Sequence, residues 1–206
     1  MHGWARGLPL DTVLAEAEYE DIDGETRQLT TEECQGFTNL LASAGAETTA
    51  KLLGHAMVLL WKHPDQRQYL WDDFERLPNA IEEILRYEAP SQFQGRVALE
   101  DSTWHGVTIP KGARVALVTG ASCRDEREYD DPDRFDVGRP IETHLNFGWG
   151  QHICLGKNLA LLESRIALEE FLRRIPHYGV DPDGIERMHS SNVRGFKGLR
   201  LQYGSS

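Results

Sequence analysis

One run of helical periodicity constrains what this chain can fold into more than any other feature. Apolar residues recur at helical spacing from Leu29 to Leu60. The run opens on "LTTEE", where Thr30 and Glu33 have the spacing of a capping box, and Pro64 ends it. A helix of about thirty residues is roughly 45 Å long at about 1.5 Å per residue. We therefore expect this helix to cross the whole molecule.

The composition excludes several classes of protein. Of the 206 residues, 40% are hydrophobic and 27% are charged, which is typical of a soluble globular chain. The formal net charge is −11 with scattered basic residues, so we expect no nucleic-acid surface, because phosphate binding needs clustered lysine and arginine. No stretch has the length of a signal-peptide core or a membrane span. We expect a cytoplasmic protein whose partner is a small molecule or another protein.

The cysteines have no pattern of a shared structural site. Cys34, Cys123 and Cys154 are odd in number, far apart and without CxxC spacing. Neither a disulfide framework nor a structural zinc site is indicated. Each cysteine has to be judged by its own surroundings.

The rest of the chain predicts short helices and a small sheet. The first thirty residues indicate a helical piece followed by a surface turn. A second helix is predicted from about residue 79 to 87, and the last strong one from about residue 156 to 175. Between them, "GRVALED", "WHGVTIP" and "ARVALV" alternate apolar and polar residues, as a small antiparallel sheet does. An irregular acidic stretch follows the sheet, and a polar tail closes the chain. The fold class is therefore mainly α with a small antiparallel β component.

Within the long helix, "AGAETT" places Ala44 and Gly45 one turn before Glu47 and Thr48. Glycine in a helix interior costs about 1 kcal/mol relative to alanine. A threonine hydroxyl can also bond to the carbonyl four residues back, here that of Ala44, which loosens the helix. The result would be a groove that admits a flat or small ligand. The alternative is that Gly45 only permits close helix packing.

The second predicted helix carries "EEILR", which sets Glu83 and Arg86 three residues apart on one face. This spacing allows a charge-assisted pair. The alternative is an exposed surface pair, worth only a few tenths of a kcal/mol. The motif indicates a function only in combination with the other motifs of the chain.

The stretch "FGWGQHICLG" surrounds Cys154 with Gly148, Gly150 and Gly156. Cys154 comes just before a predicted helix N-terminus, which stabilises the thiolate form that binds metal. The glycines let a large flat ligand lie against the backbone, and His152 is placed to reach an anionic edge of it. The alternatives are a buried structural cysteine and a cysteine nucleophile, but a nucleophile would need fewer glycines.

In this order, the three motifs resemble those of the cytochrome P450 family of heme-thiolate monooxygenases, and more closely its bacterial soluble members. "FGWGQHICLG" is similar to the family's heme-binding signature, "AGAETT" to its oxygen-activation helix, and Glu83 with Arg86 to its ExxR motif. The likeness extends over residues 1–206 as the C-terminal portion of the cytochrome P450 fold. It implies that the family's N-terminal helices, and half of the pocket with them, are not part of this chain.

The resemblance implies roles around a heme b cofactor, iron protoporphyrin IX. Cys154 would be the proximal iron ligand, with Phe147 packed beside the sulfur. Arg96 and His152 would contact the heme propionates. The cofactor-binding residues that the resemblance implies are Ala44, Gly45, Arg96, Phe147, Gly148, Gly150, His152, Cys154 and Gly156.

The resemblance also implies catalytic and structural residues. Thr48 would hydrogen-bond dioxygen or a water beside it, while Glu47 relays protons from solvent. Glu83, Arg86 and Arg139 would form a buried triad that holds the loop beneath the heme.

The resemblance implies a hydrophobic small-molecule substrate, dioxygen, and a ferredoxin or flavoprotein that delivers electrons from NAD(P)H. Lipids, sterols, terpenoids and polyketides all stay open as substrates. The alternative function is a truncated, non-catalytic heme-binding fragment that needs a missing N-terminal half. The residues implied to line the substrate pocket are Ser91, Gln92, Phe93, Asn192 and Val193.

Overall fold

The structure is a computed structural model that describes residues 10–21 and 23–204. The chain divides into two compact units, with the boundary between Glu47 and Thr48. Each unit is built from short helices and antiparallel strand pairs, apart from one long helix that contributes residues to both. The expected fold class, mainly α with a small antiparallel β component, is confirmed.

The first unit begins with helix α1 (Leu10–Glu16) and a hairpin of strands β1 (Glu18–Glu20) and β2 (Thr26–Gln28). The carboxylate of Asp21 accepts the backbone N–H groups of Asp23 and Glu25, which closes the turn between the strands. The sequence predicted a surface turn here but not the strands. Three-residue strands are too short to show a period of two clearly.

The long helix α2 runs over Thr31–Lys62 and begins at the predicted capping box. The backbone N–H of Thr30 donates to Glu33 Oε2 at 2.8 Å, and the Glu33 N–H donates to Thr30 Oγ1 at 3.2 Å. The Thr30 N–H and the Thr30 hydroxyl both donate to the Glu33 carboxylate and lower its pKa. The second half of α2 carries the buried positions Leu52, His55, Ala56, Met57, Val58, Leu59 and Leu60.

Pro64 separates two helices rather than closing a helical region. It opens α3 (Pro64–Trp71), a helix that the sequence reading missed. Proline has no N–H to donate and its φ suits a first turn, so the residue that stops one helix starts the next. A 3₁₀ turn (Phe74–Arg76) then leads to helix α4 (Leu77–Tyr87).

Four short strands and a small helix follow α4. Strand β3 (Gln94–Val97) pairs with β6 (Arg114–Leu117), and β4 (Ser102–Trp104) pairs with β5 (Val107–Ile109), both antiparallel. The predicted small sheet therefore forms as two separate strand pairs. Helix α5 (Thr119–Ser122) comes directly after β6.

The irregular acidic stretch leads to helix α6 (Lys157–Arg174), which matches the predicted last helix closely. The segment predicted as a polar tail instead contains strands β7 (Gly179–Arg187) and β8 (Phe196–Gln202), paired antiparallel across a bulge. The core of the second unit gathers apolar residues from α2, α3, α4, α6 and β7: Leu60, Leu70, Leu77, Ile81, Ile84, Leu168, Leu172 and Val180. Along residues 10–21 and 23–204, no helix is both long and apolar enough to cross a bilayer.

Candidate functional site

Cys154 lies at the end of a tight loop just before α6. Two 3₁₀ turns, Leu145–Phe147 and Gly150–His152, fold this loop back on itself. The backbone N–H of Cys154 donates to the carbonyl oxygen of Phe147 at 2.7 Å, which closes the loop. The Cys154 thiol is free and exposed. The alternative of a buried structural cysteine is therefore wrong.

Two of the three glycines in the loop are required by the backbone. Gly148 and Gly150 have φ values of 76° and 66°, a region that side chains rarely occupy. A Cβ atom on Gly148 would also approach the carbonyl oxygen of His152 to 2.9 Å. Gly156 caps α6 with an ordinary φ of −84°. The tight path of the loop depends on Gly148 and Gly150.

Large apolar side chains on either side of Cys154 are exposed. Trp149 and Leu155 have exposed fractions of 75% and 74%, and Ile153 is also exposed. Single exposed apolar residues are common on protein surfaces, but three within seven positions are not. The loop therefore combines a free thiol, bare backbone and apolar surface.

The predicted ExxR pair lies in the interior of the second unit. The side chains of Glu83 and Arg86 have exposed fractions of 0% and are joined by two hydrogen bonds, at 2.6 Å (Nε to Oε2) and 2.9 Å (Nη2 to Oε1). Arg139 Nε lies 3.5 Å from Glu83 Oε2. The structure thus brings the predicted triad together, and the alternative of an exposed pair is wrong.

Arg86 also holds the irregular segment before the loop. Its Nη1 donates to the carbonyl oxygens of Cys123 and Pro132, both at 2.8 Å, and its Nη2 donates to that of Arg134 at 3.2 Å. Glu83 Oε1 accepts the backbone N–H of Asp136 at 2.9 Å. The segment has few apolar residues of its own, so these hydrogen bonds to α4 hold it against the helix.

The "AGAETT" residues lie in the middle of α2. Ala44, Gly45 and Glu47 are exposed and belong to the first unit, whereas Thr48 is half-buried and belongs to the second. A Cβ atom on Gly45 would meet no described atom within 4 Å. Close packing against another described residue therefore does not explain the glycine.

The residues predicted to line a substrate pocket come together at one turn. Ser91 and Val193 form a β-bridge, and the N–H of Gln92 donates to the carbonyl oxygen of Asn192 at 2.9 Å. Phe93 is half-buried beside them in sequence. Two segments about a hundred positions apart in sequence thus meet at this turn.

Arg96 and His152 lie on different parts of the second unit. Arg96 is half-buried in β3 and its Nη1 donates to the carbonyl oxygen of Gly95. His152 is exposed, two residues before Cys154. Among the described residues, no hydrogen bond or ion pair joins Arg96 to residues 147–156.

Four residues that the sequence analysis did not assign to the site join the start of the loop to α4 and to the residue after α5. Their only local signal is the position of His144 directly before a 3₁₀ turn, which is an N-cap position that histidine seldom fills. These residues are Glu82, Cys123, His144 and Asn146.

Residues 66–189, more than half of the chain, match the family model described as "Cytochrome P450". The chain belongs to the cytochrome P450 family. It is 42% identical over 197 residues to the Mycobacterium tuberculosis protein named "Putative cytochrome P450 123", covering 95% of this chain and 48% of the relative. It is 39% identical over 185 residues to 6-deoxyerythronolide B hydroxylase of Saccharopolyspora erythraea, covering 89% of this chain and 45% of that enzyme. The chain thus spans about half the length of these relatives.

Solved structures of P450 proteins have the same fold over the matched part. CYP109E1 of Bacillus megaterium in complex with testosterone superposes with a TM-score of 0.87 at 35% identity, covering 94% of this chain and 53% of that chain. P450BioI in complex with a hexadecenoic acid-ligated acyl carrier protein gives a TM-score of 0.82 at 39% identity, covering 86% and 46%. The expectation of a P450 fold over part of the family's length is confirmed.

Membership of this P450 family implies a heme cofactor, and the loop around Cys154 fits one. A thiolate is the axial ligand that heme iron takes in this family. The free, exposed thiol can supply such a donor, and Gly148 leaves no Cβ atom on the tight path of the backbone. The exposed Trp149 and Leu155 offer apolar surface to a large flat ring. Within the described residues, no group of three or more His, Cys, Asp or Glu side chains could hold a metal ion. Heme iron needs only one ligand from the protein, the cysteine sulfur.

Proposed function

We propose that this chain provides the heme-thiolate part of a monooxygenase that inserts one atom of dioxygen into a hydrophobic small molecule. Its electrons would come from NAD(P)H through a ferredoxin or flavoprotein. The observation that carries the proposal is the exposed Cys154 thiol, held in a glycine-rich loop by the bond from its own N–H to Phe147. Family membership and the intact order of the three motifs support it.

The proposed cofactor is heme b, held mainly by the second unit. Cys154 Sγ would bind the iron, and the guanidinium of Arg96 and the imidazole of His152 would bind the propionates. Gly148, which has no side chain, would let the ring lie close to the backbone. Bound heme supplies the redox chemistry that activates dioxygen and transfers its oxygen atom to a C–H bond.

We propose that the distal proton chemistry belongs to Thr48 and Glu47 in the middle of α2. Thr48 Oγ1 would donate and accept hydrogen bonds beside the oxygen-binding position. The Glu47 carboxylate is exposed, so it can exchange protons with water and pass them toward that hydroxyl. Together the two side chains would relay protons from solvent to that position.

We propose that Glu83, Arg86 and Arg139 have a structural role, because the first two are fully buried and bind the backbone before the heme loop. Ser91, Gln92, Phe93, Asn192 and Val193 would line the substrate pocket. The matched proteins include 6-deoxyerythronolide B hydroxylase and complexes with testosterone and with a hexadecenoic acid-ligated acyl carrier protein, which supports a hydrophobic substrate. A cytoplasmic location stays a prediction.

The first test is the absorption spectrum of the reduced, carbon monoxide-bound protein after heme addition. Wild type and Cys34→Ala should both give the strongly red-shifted Soret band of a heme thiolate, whereas Cys154→Ala should lose it. Cys34 is the matched control because it is a free cysteine outside the loop. A red-shifted band that survives in Cys154→Ala would refute the ligand assignment.

The second test concerns turnover, and it requires the redox partner and a substrate. With an active preparation, Thr48→Ala should uncouple oxygen consumption from product formation and raise the yield of hydrogen peroxide. Unchanged coupling would contradict the proton role of Thr48. Heme binding by wild type without any product would favour the alternative of a non-catalytic heme-binding fragment.

A further inference from the structure

The Leu145–Phe147 turn, at the start of the loop that ends at Cys154, is hydrogen-bonded to helix α4 through a buried histidine and a glutamate. His144 caps the 3₁₀ turn Leu145–Phe147, and its Nδ1 accepts the backbone N–H of Asn146 at 3.3 Å. Its other ring nitrogen, Nε2, lies 2.6 Å from Glu82 Oε2. Because Nδ1 accepts a hydrogen bond, the ring proton lies on Nε2 and is donated to the carboxylate. The His144 side chain is only 3% exposed, so the histidine end of the bond is shielded from water, whereas the Glu82 side chain is 26% exposed.

The side chain of Asn146 makes a second set of hydrogen bonds from the same turn. Its Nδ2 donates to the carbonyl oxygen of Leu85 in α4 at 2.7 Å, and its Oδ1 accepts from the Cys123 thiol at 3.1 Å. Burial raises the pKa of the Cys123 thiol, which keeps the proton on sulfur. Asn146 therefore bonds to α4 and to the residue after α5 at once.

The contacts of His144 and of Asn146 both act on Cys154 through Phe147. Phe147 follows Asn146 directly, its ring centroid lies 5.8 Å from that of His144, and its carbonyl oxygen accepts the Cys154 N–H at 2.7 Å. The position of the Cys154 backbone is therefore set by Phe147, which is itself fixed by its neighbours in the turn. None of Glu82, His144 and Asn146 bonds to Cys154 itself.

We propose that Glu82, His144 and Asn146 are positioning residues for Cys154: they hold the Leu145–Phe147 turn against α4 and so fix the backbone that presents the sulfur. The proposal rests on the proposed function, because it takes Cys154 as the heme ligand. It differs from that function in concerning how the start of the loop is held against α4, and it holds for the loop's own conformation before any cofactor binds.

Hydrogen exchange of the full chain without added heme tests the positioning role directly. The protected amides are those of Asn146, Gly148, Ile153 and Cys154, which all donate hydrogen bonds within the loop or its cap. In His144→Ala, exchange in peptides covering residues 145–156 should be at least about fivefold faster than in wild type, relative to peptides from the core of α6. Fivefold corresponds to about 1 kcal/mol, the value of one N-cap bond.

Two further variants use the partly exposed Glu82, whose substitution is milder for folding. Glu82→Ala should accelerate exchange of residues 145–156 as His144→Ala does. Glu82→Gln keeps an oxygen acceptor for the Nε2 proton and should stay within about twofold of wild type. The matched control is His55→Ala, because His55 is a buried histidine whose Nδ1 also bonds to a backbone group, here the carbonyl of Glu88. It should leave the relative exchange of the loop unchanged.

The heme-loaded protein gives a second readout. His144→Ala should convert a larger fraction of the reduced carbon monoxide complex to a form without the thiolate band than His55→Ala does. If His144→Ala and Glu82→Ala change loop exchange no more than His55→Ala, the positioning role is overturned. If wild type itself forms no thiolate band, the proposed function fails, while the exchange data still decide whether these residues hold the loop.

Discussion

Replacement of Arg86 by methionine is the sharpest test of how this fold is held together. Arg86 and Glu83 are fully buried, and Arg86 makes five hydrogen bonds. Methionine is long enough to fill much of the space but has no N–H donors. The substitution therefore leaves the Glu83 carboxylate buried without its main partner. It also leaves three backbone carbonyls without this donor.

The magnitude follows from these contacts. Removal of one partner of a buried ion pair costs about 3–5 kcal/mol. The carbonyls of Cys123 and Pro132 would be left unsatisfied and add about 1 kcal/mol or more each, although water that enters the site will recover part of it, whereas the Arg134 carbonyl keeps its bond from Arg139 Nη2. A total loss of about 4 kcal/mol or more is comparable to the whole stability of a small domain, which is about 5–15 kcal/mol. Arg86→Lys keeps the charge but not the planar fork of donors, so we expect an intermediate loss.

Urea unfolding followed by circular dichroism measures this loss. The matched control is Arg174→Met, because Arg174 also makes a two-bond pair with a glutamate on a helix, Glu170, but is 77% exposed. The control should change the free energy of unfolding by less than about 0.5 kcal/mol. A double variant, Glu83→Leu with Arg86→Met, should lose less than the sum of the single losses, because no unpaired charge stays buried. A loss below about 1 kcal/mol for Arg86→Met would refute the reasoning.

Two further predictions concern the glycines and a buried tyrosine. Gly148→Ala should lower stability by more than about 1 kcal/mol, because of its positive φ and the 2.9 Å approach to the His152 carbonyl, whereas Gly45→Ala should raise it by up to about 1 kcal/mol. Equal effects in thermal melts would contradict the assigned backbone strain. Burial raises the pKa of Tyr178, whose hydroxyl donates to the Met57 carbonyl, to about 12. Unfolded tyrosine titrates near about 10, so this contribution to stability is full below about pH 10 and is lost as the pH rises toward about 12. Tyr178→Phe should therefore flatten the decline of the urea midpoint over that range, and an unchanged slope would contradict the role of burial.

Local sequence signals predicted helices α2, α4 and α6 because their causes are local. The capping box of Thr30 and Glu33 sets the start of α2, and the apolar spacing sets α4 and α6 close to their predicted bounds. Strand β7 was missed because Pro182 and Gly184, which usually end strands, lie inside it. The register shift between Val180 and Ile185 accommodates them, and that shift depends on the partner strand β8 rather than on local sequence.

In the candidate site, too, some features follow from the local sequence and others depend on residues far away in the chain. The motif around Cys154 predicted a tight glycine-rich loop, because positive φ values are a property of the local chain. The burial of Glu83 and Arg86 could not be predicted from their spacing, since it depends on carbonyl groups 37 to 48 residues further along the chain. Glu82 and His144 are 62 residues apart and have no shared motif, so only the fold brings them together.

Arg86 binds the segment from Cys123 to Arg134 in a way that leaves the sequence of this segment free to vary. All three of its contacts there are to backbone carbonyls, which every amino acid provides. The network therefore fixes the path of the chain without specifying which side chains follow it. Between these anchor points, exposed residues such as Glu126 and Glu128 can be exchanged at little cost. This face can therefore acquire a new charge pattern through drift or engineering while the backbone path that leads to the Cys154 loop stays the same.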